Sequence, residues 1–324
     1  MTQPAQAKTP LILLAGPTAV GKSEVALLLA EKIGGEIVSV DSMQVYRGLD
    51  IGTAKPTPEE RGRVRYHLLD VVNLTEPFDA AQFLRLASAA VAGIQARGRV
   101  PVLCGGTGLY FKAFLNGLGE APKADAALRM QLEATPLRDL LAELAAKDPA
   151  TYRKIDRQNA RRVIRAVEVL RLTGKPQSRQ RADWSHSKAG PGTAMFIGLT
   201  RSSSELQERI NLRVDKMFEQ GLVRETEKLL KHGLAENRTA MQALGYRQVV
   251  EHLRGVRSLP ETIELVKIRT RQFAKRQMTW FKKYGPSTWI NLSLQDAFES
   301  AVCDILARVP AWQPSDLAFI GENI

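Results

Sequence analysis

Short apolar runs alternate with amphipathic segments along the first 117 residues of the chain. The runs at 11–16 and 37–40 predict buried strands, and residues 67–72 predict a further short strand. Residues 24–33 and 80–98 predict helices, the second ending at Gly98, and residues 99–115 predict a strand, a Gly-Gly-Thr turn and a helix. Strands and helices in alternation predict a parallel sheet covered by helices.

The pattern changes after about residue 117, where helical periods continue with little β character. Residues 159–174 predict a helix with Val163, Val167 and Leu170 on one face, and residues 175–192 are polar and loop-like. Strand character returns at 194–202, followed by two amphipathic helices at 204–221 and 261–285. We therefore predict a core domain formed by 1–117 and 193–324, with a mostly helical insertion at 118–192.

Composition narrows the class of protein. The chain has 324 residues, of which 44% are hydrophobic and 25% charged, as in ordinary globular proteins. No apolar stretch reaches the roughly 20 residues that span a bilayer, and the N-terminus lacks the apolar core of a secretory signal. The two cysteines and four histidines do not fall at zinc-site spacing. We expect a soluble, cytoplasmic protein without disulfides or structural zinc.

Charge is distributed unevenly along the chain. Residues 1–150 hold 16 basic and 16 acidic residues, so the whole net charge of +12 lies in 151–324. A basic half beside a neutral half favours a polyanionic partner such as nucleic acid. A solvated surface that keeps the protein soluble is the simpler alternative, and charge alone does not decide between them.

A phosphate-binding loop follows the first predicted strand. The pattern G-x-x-x-x-G-K-[ST] is matched at every fixed position by Gly16, Pro17, Thr18, Ala19, Val20, Gly21, Lys22 and Ser23. Such a P-loop turns several backbone N–H groups and a helix N-terminus toward an anion, while Lys22 neutralises phosphate oxygens and the Ser23 hydroxyl can bind Mg²⁺. The motif predicts nucleotide binding, of ATP or GTP, but a diphosphate group offers the same oxygens.

Polar residues follow two other predicted strands. Asp41 and Ser42 end the second strand, and Thr107 follows a third, so parallel topology predicts that they lie near the P-loop. A carboxylate there can accept a proton or hold Mg²⁺, although Asp41 could also simply cap a helix. Asp70 is a weaker candidate for Mg²⁺ and is more simply explained as a turn residue.

Seven segments together resemble the bacterial tRNA dimethylallyltransferases, or tRNA isopentenyltransferases, in the order seen in that family. The resemblance spans about residues 10–289 and is carried by "GPTAVGKS", "VSVDSMQVYRGLDIGTAKP", "HLLDV", "VLCGGTGLYFKA", "RRVIRAVEV", "ALGYRQ" and "TRQFAKRQMTWF". The second of these is specific to the family, whereas a P-loop alone is not. Val20 and Ala160 depart from common family residues, but the mechanism requires neither side chain.

The resemblance implies a P-loop kinase-like α/β fold and the transfer of a dimethylallyl group from dimethylallyl diphosphate to N6 of an adenosine in tRNA. That adenosine lies just 3′ of the anticodon in tRNAs that read codons beginning with U. Diphosphate would leave with Mg²⁺ bridging it to the P-loop, and ATP would not be consumed. The implied partners are a tRNA anticodon stem-loop and dimethylallyl diphosphate, with no membrane, and we expect a monomer.

The resemblance also implies roles for particular residues. Lys22, Ser23 and the P-loop amides would hold the diphosphate, Asp41 would take the proton from N6, Thr18 would lie near the base, and Arg213 would stabilise charge at the reacting centre. The tRNA-contacting positions would be Asp41, Ser42, Met43, Gln44, Thr107, Lys123, Arg161, Arg162, Val163, Ile164, Arg165, Gln242, Ala243, Leu244, Gly245, Tyr246 and Arg247. Of these, Tyr246 and Arg247 could stack on or hydrogen-bond an unstacked base.

Three alternatives stay open at this point. An ATP-dependent small-molecule kinase would use the same P-loop, and an isopentenyltransferase acting on free adenine nucleotides would share most of the chemistry. Neither would need a basic insertion. A P-loop protein that binds RNA without modifying it would make Asp41 dispensable.

Overall fold

A computed structural model describes residues 10–119, 121–180, 194–293 and 298–308 of the chain. It contains one six-stranded sheet in which every pair of neighbouring strands is parallel, in the order β3-β2-β4-β1-β5-β6. The strands are β1 (Leu11–Ala15), β2 (Glu36–Val40), β3 (Tyr66–His67), β4 (Pro101–Gly105), β5 (Ala194–Thr200) and β6 (Thr288–Asn291). The predicted parallel sheet flanked by helices is confirmed.

Helices connect the strands and form a separate run in the middle of the chain. Those before β5 are α1 (Lys22–Lys32), α2 (Pro58–Arg63), α3 (Ala80–Ala96), α4 (Gly108–Asn116), α5 (Ala126–Ala134), α6 (Leu137–Lys147), α7 (Pro149–Lys154), α8 (Ala160–Thr173) and α9 (Gln177–Gln180). Those after it are α10 (Ser203–Glu219), α11 (Leu222–Leu230), α12 (Tyr246–Leu253), α13 (Leu259–Tyr284) and α14 (Phe298–Leu306). None of the helices in the described residues combines the length and apolarity needed to cross a membrane.

Local sequence explains where several of these helices begin and end. Asp79 precedes α3, and its carboxylate accepts hydrogen bonds from two backbone amides of the first turn. Asn159 caps α8 in the same way, and Gly174 ends that helix in a left-handed conformation at φ 65°. These caps fix the helix ends independently of the tertiary packing.

The chain divides into two compact units, one of residues 1–114 and 189–324 and the other of residues 115–188. The first contains the sheet, whose central strands β1, β2 and β4 are almost wholly buried. Full burial of an aliphatic side chain contributes about 1.5–3 kcal/mol, so these strands form a rigid base for the loops at their carboxyl ends.

The second unit has a small core of its own, formed by Leu132, Leu140, Leu144, Val163, Ala166 and Val167. Beside it lies the fully buried carboxylate of Glu168, which accepts hydrogen bonds from Arg129 at 2.6 Å and Arg165 at 2.5 Å. A buried carboxylate is tolerated only when it is paired in this way. Helices α5, α6 and α8 are thereby held together by both apolar and ionic contacts.

Two strands differ from the prediction. The predicted strand at 67–72 is reduced to Tyr66–His67, because Leu68 and Asp70 both adopt positive φ, which breaks an extended chain. Strand β6, Thr288–Asn291, was not predicted, since four residues of mixed polarity carry too little periodicity to be recognised.

Candidate active site

The P-loop joins β1 to α1 at the carboxyl edge of the sheet. A side chain at Gly16 would place its Cβ 2.6 Å from the Leu199 carbonyl oxygen, so only glycine allows the loop to pass so close to β5. Gly21 adopts φ 112° immediately before α1, a conformation that favours glycine. The motif therefore has the strand–loop–helix setting that a phosphate site requires.

Three side chains from distant elements hold the P-loop in shape. Gln277 of α13 accepts the Thr18 N–H at 2.8 Å and donates to the Gly106 carbonyl at 2.9 Å, joining the P-loop to the turn after β4. Arg201 and Arg209 each donate from Nε, at 2.8 Å, to the carbonyls of Val20 and Ala19 respectively. These contacts fix one amide and two carbonyls of the loop.

Two cations lie inside the site. Lys22 Nζ donates to the Pro17 carbonyl at 2.6 Å, and burial lowers the pKa of Lys22 to about 8. Arg213 of α10 approaches Thr18, with Nη1 3.5 Å from Oγ1, and burial also lowers the pKa of Arg213. Burial is the largest cause of both reductions, and the positive charge of Arg213 lowers the pKa of Lys22 further. The arrangement is suited to a multiply charged anion.

Asp41 follows β2 and is held by its own backbone. Its Oδ1 accepts the N–H groups of Met43 at 2.7 Å and Gln44 at 3.2 Å, while Oδ2 makes no hydrogen bond to the described residues. The negative charge of Asp41 raises the pKa values of both Lys22 and Arg213, which places the carboxylate beside the two cations. One oxygen of Asp41 therefore caps the local backbone, and the other is free beside the site.

Thr107 ties the turn after β4 to the Asp41 segment. Its Oγ1 accepts the Ser42 N–H at 3.2 Å, and its own N–H donates to the Val40 carbonyl. The structure thus brings together three of the predicted segments, at residues 16–23, 41–44 and 105–107. Parallel topology alone predicted this convergence.

The segment after Asp41 is fixed by two buried polar side chains. Gln44 donates to the carbonyls of Thr53 and Ala54 and lies 2.8 Å from Ser39 Oγ. Lys55, whose side chain is 2% exposed, donates to the Tyr46 carbonyl and to the carboxylates of Asp50 and Asp70. Together these contacts close the loop of residues 44–55 on itself.

Asp70 is occupied by this network. Burial would raise the pKa of Asp70, but hydrogen bonds from Lys55 and Arg61 outweigh it and hold that pKa below its usual range. With two cations bound and φ 55°, Asp70 is the turn residue that the sequence favoured. Within the described residues, no three His, Cys, Asp or Glu side chains cluster as an all-protein metal site would require.

A cavity of about 1450 Å³ opens beside these groups, in the unit that contains the sheet. Lys22, Ser23, Gln44, Arg209 and Arg213 line it, with apolar contributions that include Tyr66, Leu212 and Met217. The Ser23 side chain is exposed to the cavity and makes no hydrogen bond to the described residues. The space accommodates both a diphosphate and an organic group.

The segment 242–247 differs in part from its predicted role. Gln242 and Arg247 are exposed, Leu244 is half-buried, and Ala243 and Gly245 are buried. Tyr246 is fully buried, and its hydroxyl donates to Glu225 at 2.6 Å and accepts the Gly52 N–H at 3.1 Å. The prediction that Tyr246 could stack on a base is therefore wrong, because its ring packs inside the protein and secures the 44–55 loop.

The segment 161–165 and Lys123 lie in the second unit. Lys123, Arg161 and Arg162 are exposed and Ile164 is half-buried. Arg165 is committed to Glu168 and to the Pro122 carbonyl. Val163 is fully buried in the core of that unit, so its side chain does not face solvent, contrary to a direct tRNA contact.

No sequence pattern pointed to a role for Lys55, Arg201, Arg209 or Gln277. Lys55 and Gln277 lie in the family-like segments "GLDIGTAKP" and "TRQFAKRQMTWF", but the resemblance implied no role for these side chains. Their contacts run to backbone carbonyls and amides of remote segments, which no local pattern encodes.

Comparison with known proteins identifies relatives over most of the chain. The family model described as "IPP transferase" matches residues 44–284. The tRNA dimethylallyltransferase 1 of Trichlorobacter lovleyi is 45% identical over 287 residues, covering 87% of this chain and 94% of that protein. The tRNA dimethylallyltransferase of Pelotomaculum thermopropionicum is 42% identical over 306 residues, covering 93% and 95% respectively.

Solved structures agree with these relatives. The tRNA isopentenylpyrophosphate transferase of Bacillus halodurans superimposes with a TM-score of 0.67 at 39% identity, covering 92% of this chain and 94% of that one. A eukaryotic dimethylallyltransferase, captured acting on tRNA, gives a TM-score of 0.79 at 28% identity, covering 94% and 81%.

Proposed function

The chain belongs to the IPP transferase family, that of the tRNA dimethylallyltransferases, and from this we propose that it transfers a dimethylallyl group to tRNA. The donor is dimethylallyl diphosphate, and the acceptor is N6 of the adenosine 3′-adjacent to the anticodon in tRNAs that read codons beginning with U. The observation that carries the proposal is a P-loop with two partly uncompensated cations, Lys22 and Arg213, beside the Asp41 carboxylate.

Lys22, Arg213 and the P-loop amides bind the diphosphate of the donor. As the allylic C–O bond breaks, negative charge grows on the leaving diphosphate, and donors already fixed around it stabilise that charge without reorganising. Arg201 and Arg209 position the loop by holding two of its carbonyls, and Gln277 does so by accepting the Thr18 N–H. The loop is thus already ordered in the folded protein, and no free energy is needed to order it during the reaction.

Asp41 accepts the proton that N6 loses as it forms the bond to carbon. Its Oδ1 is held by two backbone amides, and the remaining oxygen is available to the amine. A positioned general base typically contributes about 10²–10⁴-fold to the rate. The bond to the allylic carbon forms, the C–O bond breaks, diphosphate leaves, and the proton rests on the carboxylate.

The residues present fit a Mg²⁺ ion bound together with the diphosphate. Mg²⁺ favours oxygen ligands and keeps several waters, so one protein hydroxyl and the donor's phosphate oxygens suffice. Ser23 Oγ, exposed to the cavity and not hydrogen-bonded to the described residues, is the ligand that the chain offers. When bound, the ion neutralises part of the leaving group's charge.

The second unit is proposed to grip the tRNA stem. Arg161 and Arg162 are exposed on α8, whereas Arg165 and Arg171 are engaged by Glu168 and Glu143. Phosphate contacts from free arginines are the common source of RNA affinity. The protein is also expected to act as a monomer in the cytoplasm.

A kinase would need a free carboxylate to bind Mg²⁺ at a neighbouring strand, and the structure does not offer one at Asp70. Asp70, the sequence's candidate for a Mg²⁺ partner at a neighbouring strand, is bound by Lys55 and Arg61. Relatives over most of the chain are tRNA-modifying enzymes rather than kinases. The group-transfer proposal therefore explains more of the chain.

The decisive experiment supplies the purified protein and Mg²⁺ with unmodified tRNA that carries adenosine beside its anticodon. One reaction receives dimethylallyl diphosphate and a parallel one receives ATP, and the digested nucleosides are weighed by mass spectrometry. A dimethylallyl mass gain on adenosine in the first reaction alone is expected. ATP hydrolysis without that gain would replace the proposal with a kinase or NTPase activity.

The role of Asp41 is tested in the same assay. Asp41→Asn should lower kcat by about 10²–10⁴-fold, because the amide cannot accept the proton, while tRNA affinity stays near wild type. As a control, Asp215→Asn makes the same change on α10, where Asp215 pairs with Lys267 of α13. This variant should leave kcat unchanged. Turnover by Asp41→Asn equal to that of the control would exclude a base role.

A further inference from the structure

A second cavity, of about 680 Å³, adjoins the active cavity and has no part in the chemistry proposed above. It is formed by residues 47–51, residues 73–75 and residues 220–232, and we call it the α11 groove. Arg47, Asp50, Ile51 and Gln220 line both cavities, so the two share a border. A polymer that places one unit in the active cavity can therefore continue into the groove.

Basic side chains line one side of the α11 groove. Arg224 and Lys228, four residues apart, lie on the same side of α11, and His232 follows in the next turn. Both Arg224 and Lys228 are exposed, and neither side chain makes an ion pair or hydrogen bond within the part of the chain that the structure describes. Like charges at this spacing destabilise a helix, and a bound anion would relieve that repulsion.

The two acidic residues of the groove are both bonded to other groups of the protein. Asp50 is bound by Lys55 Nζ at 2.7 Å. Glu225 accepts the Ile51 N–H at 3.1 Å and the Tyr246 hydroxyl at 2.6 Å, and burial raises the pKa of Glu225. Neither carboxylate compensates Arg224 or Lys228, so the groove keeps a net positive lining.

The floor of the groove is apolar. Leu74 and Leu229 are 5% and 7% exposed and line the cavity together with Ile51. Gly48, at φ 80°, packs against Leu229, where an added Cβ would lie 2.9 Å from the leucine methyl group. An apolar floor beneath cations fits a ligand with a flat base and an attached phosphate.

We propose that the α11 groove binds a nucleotide of the tRNA loop next to the modified adenosine, with its phosphodiester against Arg224 and Lys228 and its base over Leu74 and Leu229. This inference rests on the proposed function, because it takes the tRNA loop to enter the adjoining active cavity. It assigns binding to α11, outside the segments that the family resemblance connected with tRNA.

The protein-side test compares Arg224→Gln/Lys228→Gln with wild type in the full chain. Without dimethylallyl diphosphate present, the double variant should bind the anticodon stem-loop at least about tenfold more weakly. The slope of log affinity against log salt should become shallower by about 0.7, the contribution of one single-strand phosphate contact. Affinity for dimethylallyl diphosphate should not change, since neither residue lines the active cavity.

Lys231→Gln is the matched control. Lys231 is exposed just beyond α11 and does not line the groove. Its substitution removes one positive charge, as Lys228→Gln alone does. It should alter neither the affinity nor the salt slope measurably. If it weakened binding as much as Lys228→Gln alone, the effect would be one of general charge, and the groove assignment would be overturned.

The RNA-side test neutralises one phosphate at a time with a methylphosphonate linkage in the stem-loop. A linkage adjacent to the target adenosine should weaken binding to wild type but not to the double variant. Wild-type affinity in the double variant, or coupling confined to stem linkages, would overturn the proposal. A wild-type protein that binds the RNA normally but transfers no dimethylallyl group would instead refute the proposed function, so the two failures are distinguishable.

Discussion

Lys22 shows how a single residue can carry both the function and a cost to the fold. Its ammonium is held in the P-loop with only a carbonyl as a hydrogen-bond partner, and burial lowers its pKa to about 8. The charged form is thus disfavoured until an anion binds. In the proposed function, the charge of a bound diphosphate offsets this cost.

That cost predicts a pH dependence of donor binding. Free Lys22 loses its proton as pH rises through about 8, whereas a bound diphosphate raises the pKa of Lys22 and keeps it protonated. Affinity for dimethylallyl diphosphate, measured by calorimetry without tRNA, should fall only about twofold between pH 7 and 8. Above pH 8 it should fall by up to about tenfold per unit.

Lys22→Met isolates the cause. The variant should bind more weakly at pH 7.5 and show no further fall between pH 8 and 9.5, because the ligand's own phosphate ionisation, near pH 6, is complete there. The same steep fall in the variant would assign the titration to another group.

Substitution of Lys55 should affect turnover but not the binding of the donor. Lys55→Met should lower kcat by about 10–100-fold, because the loop of residues 44–55 loses three hydrogen bonds and Asp41 at its start is less well fixed. The affinity for dimethylallyl diphosphate should change little. Arg61→Gln, which removes only the more exposed partner of Asp70, should have the smaller effect on kcat.

At the scale of elements, the fold followed from periodicity where the segments are long or deeply buried. The runs that became β1, β2 and β4 and the helices α1, α3 and α10 were evident because burial on a defined face imposes a repeat. Strand β6 was not predicted and β3 was predicted with the wrong bounds, because pairing with a neighbour rather than their own pattern makes them strands.

The site was predictable to a similar depth. Motif and topology predicted that the P-loop, Asp41 and Thr107 would meet. They did not predict that Tyr246 is buried or that Gln277 supports the P-loop, since both depend on contacts between segments about 200 residues or more apart. Residues that carry the chemistry lie in short recognisable motifs, whereas the residues that support them are distant in the sequence, where no such pattern marks their role.

Helix α13 gives a prediction about such a support. Gln277→Ala should weaken dimethylallyl diphosphate binding by about 10–100-fold and lower the melting temperature, because two buried hydrogen bonds are lost at about 1–3 kcal/mol in total. Gln272→Ala makes the same change on an exposed position of the same helix and should be neutral. Equal donor affinity in the two variants would show that the P-loop keeps its shape without Gln277.

At the scale of the whole molecule, the boundary in charge does not coincide with the boundary between the compact units. The first 150 residues are neutral overall and the net charge of +12 follows them, whereas the second unit spans residues 115–188. In that unit Arg129, Arg165 and Arg171 are paired with Glu168 and Glu143, and Arg161 and Arg162 stay exposed. The net charge therefore overstates the number of basic side chains that are free to contact RNA.

Arg161→Gln/Arg162→Gln should raise the KM for tRNA and reduce the slope of log affinity against log salt by up to about 1.8, the value for two duplex phosphate contacts. The kcat at saturating tRNA should be unchanged. Arg171→Gln, on the same helix but paired with Glu143 at 2.7 Å, should leave the slope as it is. An unchanged slope in the double variant would remove these arginines from the tRNA interface.

The outside supports of the P-loop also bear on how the enzyme is made. Residues 16–23 leave the ribosome long before the side chains that hold them, which come from positions 201, 209 and 277. A nascent chain acquires a finished diphosphate site only after α13 has been synthesised. Prematurely terminated products therefore contain the motif but lack the site, and they cannot sequester the isoprenoid donor.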